Sequence, residues 1–144
     1  MNPEWTGNYY EDGKEWERPM NIEFYELDNT GINQKAGVRT HGGNGRRHQQ
    51  KCVKIYAREE YGKKRFKHRF FESIPYNSFK HLVLKPFQAS WNQSGVNDHI
   101  CNQIASQLNL DALASRPIVM YLKSEYWGHI IVCQNFRPLQ RNNS

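Results

Sequence analysis

Apolar and polar side chains alternate over residues 21–27, with Ile22 and Phe24 on one side and Glu23 and Tyr25 on the other. That period of two predicts a half-buried strand. Asp28-Asn29-Thr30-Gly31 is a turn sequence, and a second strand is predicted over 34–41, broken by Gly42, Gly43 and Gly45. A third covers 51–58, where Val53, Ile55 and Ala57 share one face and Cys52, Lys54 and Tyr56 share the other. Residues 59–63, with Gly62, read as a tight hairpin connection into a strand over 65–71, Phe66 and Phe70 pointing inward. A short strand over 79–85 ends at Pro86, and the loop QASWNQSG follows. The period then changes to four. Val96, Ile100, Ile104 and Leu108, widened by Cys101 and Ala105, predict an amphipathic helix over 96–108. Ser94 or Asn97 can cap it, Asp98 suits its dipole, and Asn109 and Asp111 end it. Strands over 117–122 and 125–133 form a hairpin around Lys123-Ser124.

The sum is one α+β domain over 21–133, a small antiparallel-rich sheet with one principal helix. Residues 1–20 are polar and read as an extension wrapping the domain edge, pinned by Trp5 and Trp16; residues 134–144 read as a frayed tail. The chain has 144 residues, 38% of them apolar, enough for one modest core. Seven Phe, eight Tyr and four Trp set it apart from disordered chains. Residues 1–30 lack the apolar stretch of a signal peptide, and no run approaches the ~20 apolar residues of a membrane span. The expectation is a chain that stays where it is made, in a compartment the sequence leaves open.

Charge changes the picture. Residues 39–69 hold eleven of the twenty Lys and Arg against Glu59 and Glu60, a local +9 in a chain of net +6. Residues 4–28 are acidic, with eight carboxylates against Lys14 and Arg18. Such a bipolar chain suits a self-complementary surface, so a pI near 9.3 is by itself weak support for nucleic acid. Cys52, Cys101 and Cys133 are odd in number and widely spaced, neither a disulfide framework nor a zinc site. The six histidines show no HExxH, and no GxSxG occurs.

The segment Gly42-Gly43-Asn44-Gly45-Arg46-Arg47 has the composition of a glycine-rich anion loop, although it matches neither GxGxxG nor GxxxxGK[ST]. On spacing alone, a flexible hairpin tip with solvated arginines is the stronger explanation. Lys51 and Lys54 lie on the strand that follows, where kinase-like folds place a phosphate-contacting lysine; alternate lysines also mark ordinary half-exposed strands. Asp98 and Asp111 are the only acids between Ser73 and Met120, and helix ends account for both. The residues therefore offer phosphate donors without a Mg²⁺ cage or a general base. YGKKRFKHRFF over 61–71 could instead grip nucleic acid, with cations on phosphates and aromatics on bases.

The run GVRTHGGNGRRHQQKCVKIYAREEYGKKRF, then FKHLVLKPFQASWN, the helix DHICNQIASQL and RPIVMYLKSEYWG resemble the CotH-type spore-coat protein kinase family, over about residues 8–128. The resemblance implies the N-lobe of an atypical protein-kinase-like fold, and a family activity of phosphate transfer from ATP to protein Ser with Mg²⁺ held by aspartates. It places Gly42, Gly43, Asn44 and Arg46 at the family's glycine/serine turn, Lys51 and Lys54 at its phosphate-contacting lysines, and the helix in the part of the N-lobe helix. Two departures stand out. Asn44-Gly45 replaces the usual serine pair, and after Tyr126-Trp127-Gly128 the pattern stops short of the second lobe that carries the metal-binding aspartates. The expectation is thus a truncated or frame-shifted ATP-facing portion, inactive alone, whose partners are nucleotide phosphate and a protein substrate or coat or surface protein. The alternatives are a non-catalytic polyanion-binding module and a coat or surface interaction domain. Trp127, Ile130 and Ile131 are the expected exposed apolar surface, and self-association the expected result.

Overall fold

The computed structural model describes residues 7–11, 13–43, 46, 49–86, 97–108 and 112–134. Its strands are β1 (Arg18–Tyr25), β2 (Gly31–Thr40), β3 (Val53–Tyr56), β4 (Phe66–Lys67), β5 (Ser78–Phe79), β6 (His81–Pro86), β7 (Ser115–Leu122) and β8 (Glu125–Gln134). The helix is α1 (Asn97–Gln107). Six strands form one curled antiparallel sheet in the order β1-β2-β3-β6-β8-β7, and β4 and β5 pair separately. The molecule is therefore a mixed α and β fold built on one antiparallel sheet.

The β1–β2 and β7–β8 hairpins turn where the sequence permits left-handed backbone. Between β1 and β2, Asn29 has φ 64°, and the Asp28 carboxylate accepts from the Thr30 amide at 2.9 Å. Between β7 and β8, Lys123 and Ser124 have φ 51° and 67°, the two positive values of a type I′ turn.

The register gives the sheet two distinct faces. On the core face, Met20, Ile22 and Phe24 of β1 meet Ile32, Ala36 and Val38 of β2, then Val53 and Ile55, Leu82 and Leu84, Ile130 and Val132, and Ile118 and Met120. Residues 57–80, which link the adjacent strands β3 and β6, fold over one end of this face. They deliver Phe66, Phe70, Phe71 and Phe79, all buried, and the rings of Phe70, Phe71 and Phe79 meet edge-on or tilted. A triad fastens that excursion: Glu26, just past β1, accepts from Arg116 at 2.7 Å and lies 3.0 Å from Nε2 of His68.

Several expectations are corrected. The hairpin partner of β3 is not 65–71: only Phe66–Lys67 is strand there, and it pairs with Ser78–Phe79, while β3 pairs with β6. Phe66 and Phe70 are nonetheless buried, through an irregular path rather than strand alternation. The α1 stripe is not a core stripe, since Ile100, Ile104 and Leu108 are 43%, 52% and 65% exposed. Ile130 and Ile131 are buried, not surface, because β8 lies inside the sheet and alternates them onto opposite, covered faces; Trp127 is half-buried. β1 begins at Arg18, inside the stretch assigned to the extension. Trp5, Asn44, the 88–95 loop and the 135–144 tail lie outside the described residues.

Candidate functional site

The outer face of the sheet carries the concentrated charge. Antiparallel pairing sets Arg39 opposite Lys54, Lys54 opposite Val83, Val83 opposite Cys133, and Cys133 opposite Ser115. One straight row thus runs from two cations through two buried apolar residues to a hydroxyl. Lys85 stands two residues beyond Val83 on the same face of β6, a diagonal of about 7–8 Å from the Lys54 position, within reach of long side chains. Like charges placed opposite one another destabilise a sheet unless something neutralises them.

Tyr56 is the floor of the cluster. It is buried, and the cations of Arg39, Arg58 and Lys54 lie 4.7, 4.8 and 5.4 Å from its ring centroid. Nε of Arg39 donates to the Tyr56 hydroxyl at 2.6 Å. An electron-rich ring holds cations by its quadrupole without cancelling their charge. Burial raises the Tyr56 pKa, with Arg39 opposing. The Lys54 ammonium is pushed below its ordinary range, first by burial and then by repulsion from Arg39 and Arg58.

Arg58 is the neutralised member. It donates to both oxygens of the buried Glu17, Nε at 2.8 Å and Nη2 at 2.9 Å. Burial alone would raise the Glu17 pKa, but the bonds and charge of Arg58 leave it lowered. Glu17 reaches across Gly37, where a Cβ would collide with its carboxylate and with the Tyr61 ring. Among the described residues, Arg39 and Lys54 have no carboxylate within ion-pair distance. Beside them, Cys52, Val83, Ile131 and Cys133 form a separate buried apolar cluster on the same face. Burial raises the Cys52 thiol pKa, as for an inert core cysteine.

The residues singled out in the sequence do not converge on one point. Gly42 and Gly43 follow β2, where the His41 amide donates to the Cys52 carbonyl at 2.8 Å and starts the β2–β3 connection. Gly42 has φ +79°, which favours glycine, and a Cβ at either position would meet open space. Arg46 turns back and donates to the Tyr10 carbonyl at 2.8 Å. Lys51 precedes β3 and places its Nζ 4.2 Å over the Tyr9 ring, at the rim of the core-face cavity. Lys54 is on the outer face, so the sheet separates the two lysines. Arg39, Tyr56 and Lys85 are the members that sequence reasoning missed. Alternation alone puts Tyr56 beside Lys54, but Arg39 and Lys85 join them only once the register is known.

The arrangement turns the cations of Arg39 and Lys54 to one end of this face, beside an apolar cluster that is itself buried. Among the described residues no group of three His, Cys, Asp or Glu stands together to hold a metal. Comparison with protein-family models, with curated proteins and with solved structures finds no match to this chain.

Proposed function

We propose that the outer face binds the phosphates of a nucleotide, and that the chain is the N-terminal, ATP-facing portion of a CotH-like atypical protein kinase. The observation that carries this reading is the in-register pair Arg39 and Lys54, held over Tyr56 with no carboxylate partner among the described residues. Kinase-like folds contact phosphates with a glycine-rich turn and a strand lysine. Here Gly42 and Gly43 follow the strand of Arg39, and Lys54 lies on the next. The reading is of binding rather than turnover, because phosphoryl transfer rests on charge stabilisation that includes the metal, which the resemblance assigns to a second lobe.

The test is ATP titration by calorimetry. Lys54→Ala and Arg39→Ala are each expected to weaken binding about ten-fold, the loss of one charge-assisted contact, with circular dichroism unchanged. Lys51→Ala, on the opposite face, is expected to leave ATP affinity as it was. Unaltered affinity in Lys54→Ala sinks the proposal. A polyanion-binding module is the second reading, favoured by the exposed cations Lys63, Lys67 and Arg69 of the excursion. Its mark would be single-stranded nucleic acid binding that falls steeply with salt.

A further inference from the structure

The phenylalanines of the excursion fill only one end of the core face. At the other end, towards Arg18, Thr40, Lys51 and Leu122, the curled sheet walls a half-open cavity of about 430 Å³. Its wall is formed by Met20, Val38, Ile55, Leu84, Met120 and Ile130, drawn from all six strands. Two methionines make that wall adaptable to an irregular apolar guest. A concave, apolar space of this size with a few polar groups at its edge is the usual form of a small-molecule site.

The mouth is polar in one sense only. Lys51 lies over the Tyr9 ring, and the Arg18 guanidinium lies 5.6 Å from the Trp16 ring centroid. Arg18 donates to the carbonyls of Glu15 and Glu17, and among the described residues neither cation has a carboxylate within ion-pair distance. The mouth is also built rather than loose. Thr40 and Arg46 donate to the carbonyls of Tyr9 and Tyr10, each at 2.8 Å, and Gln50 donates to the carbonyl of Trp127.

An apolar pocket under two cations and a set of aromatic rings matches one chemistry: an unbranched apolar tail with a single anionic head. We infer that this cavity binds a medium-chain carboxylate, with the tail among the wall residues and the head at Lys51 and Arg18. The cavity opens on the core face, whereas Lys54 and Tyr56 of the proposed nucleotide site lie on the outer one; Arg39 borders both.

Calorimetric titration with decanoate, kept below its micelle concentration, tests the inference, with decyltrimethylammonium as the cationic control. Saturable decanoate binding is expected, at least about ten-fold tighter than the cationic amphiphile. Lys51→Glu, a rim substitution, is expected to weaken decanoate about ten-fold or more while ATP binding stays unchanged. Met120→Trp, which fills the cavity, is expected to abolish decanoate binding. If Met120→Trp fails to fold, Lys51→Glu alone decides. Absent or non-saturable decanoate binding, equal binding of the cationic amphiphile, or unchanged affinity in Lys51→Glu would overturn the inference.

Discussion

Glu26 shows how much one carboxylate can fasten. Its pKa is held at about 2, chiefly by the hydrogen bond from Arg116, with burial opposing and His68 adding to the hold. The ordinary value is 4.5, so folding favours the charged form. A depressed pKa means that the stabilisation is complete above the unfolded value and lost as pH falls through the folded one. The expected stability therefore drops between about pH 5 and pH 2, by roughly 3 kcal/mol at most from this group. Urea unfolding at pH 7, 4 and 2.5 measures it, and Glu26→Gln should flatten that dependence while lowering stability at pH 7. At Gly37 the cause is space rather than charge. Gly37→Ala drives a methyl into the Glu17 carboxylate and should cost about 1–3 kcal/mol, read from a shifted urea midpoint.

At the scale of elements, the sequence revealed what local rules control. The two hairpin turns, the helix position and the face alternation of Cys52 to Ala57 were all legible, because each depends on neighbours a few residues away. The path of 57–80 was not. Phe66 and Phe70 read as strand alternation, yet all four of its phenylalanines reach the core through a path whose only ladder is β4 with β5. The period of α1 was legible, but its orientation was not, since a stripe does not say which surface receives it. The grouping of the candidate residues was hidden at the same level. Lys51 and Lys54 are three positions apart, an odd step that sends them to opposite sides of a strand, whereas Arg39 meets Lys54 through a pairing no single strand encodes. Substitution separates the two elements. Phe70→Ala should destabilise by roughly 3–5 kcal/mol, and Ile104→Ser by less than about 1 kcal/mol, in the same unfolding assay.

Across the whole molecule, apolar surface faces outward on the helix and on the β7–β8 hairpin. Ile104 and Leu108 are exposed, and so are Val119, Tyr121 and Tyr126. These replace Trp127, Ile130 and Ile131 as the surface for self-association. Light scattering at rising concentration should show a mass above that of the monomer, and Ile104→Asp should return it towards the monomer value; a monomer at every concentration would dismiss the idea.

The unequal filling of the core has a mechanical consequence. Hydrostatic pressure favours whichever state occupies less volume, and internal void is the volume a folded protein surrenders on opening. Compression should therefore act first on the end bounded by Met20, Leu84 and Met120, while the phenylalanine end, packed ring on ring, holds longer. High-pressure NMR should find the cavity-lining methyls broadening at pressures where those of Leu82 and Val132 remain sharp.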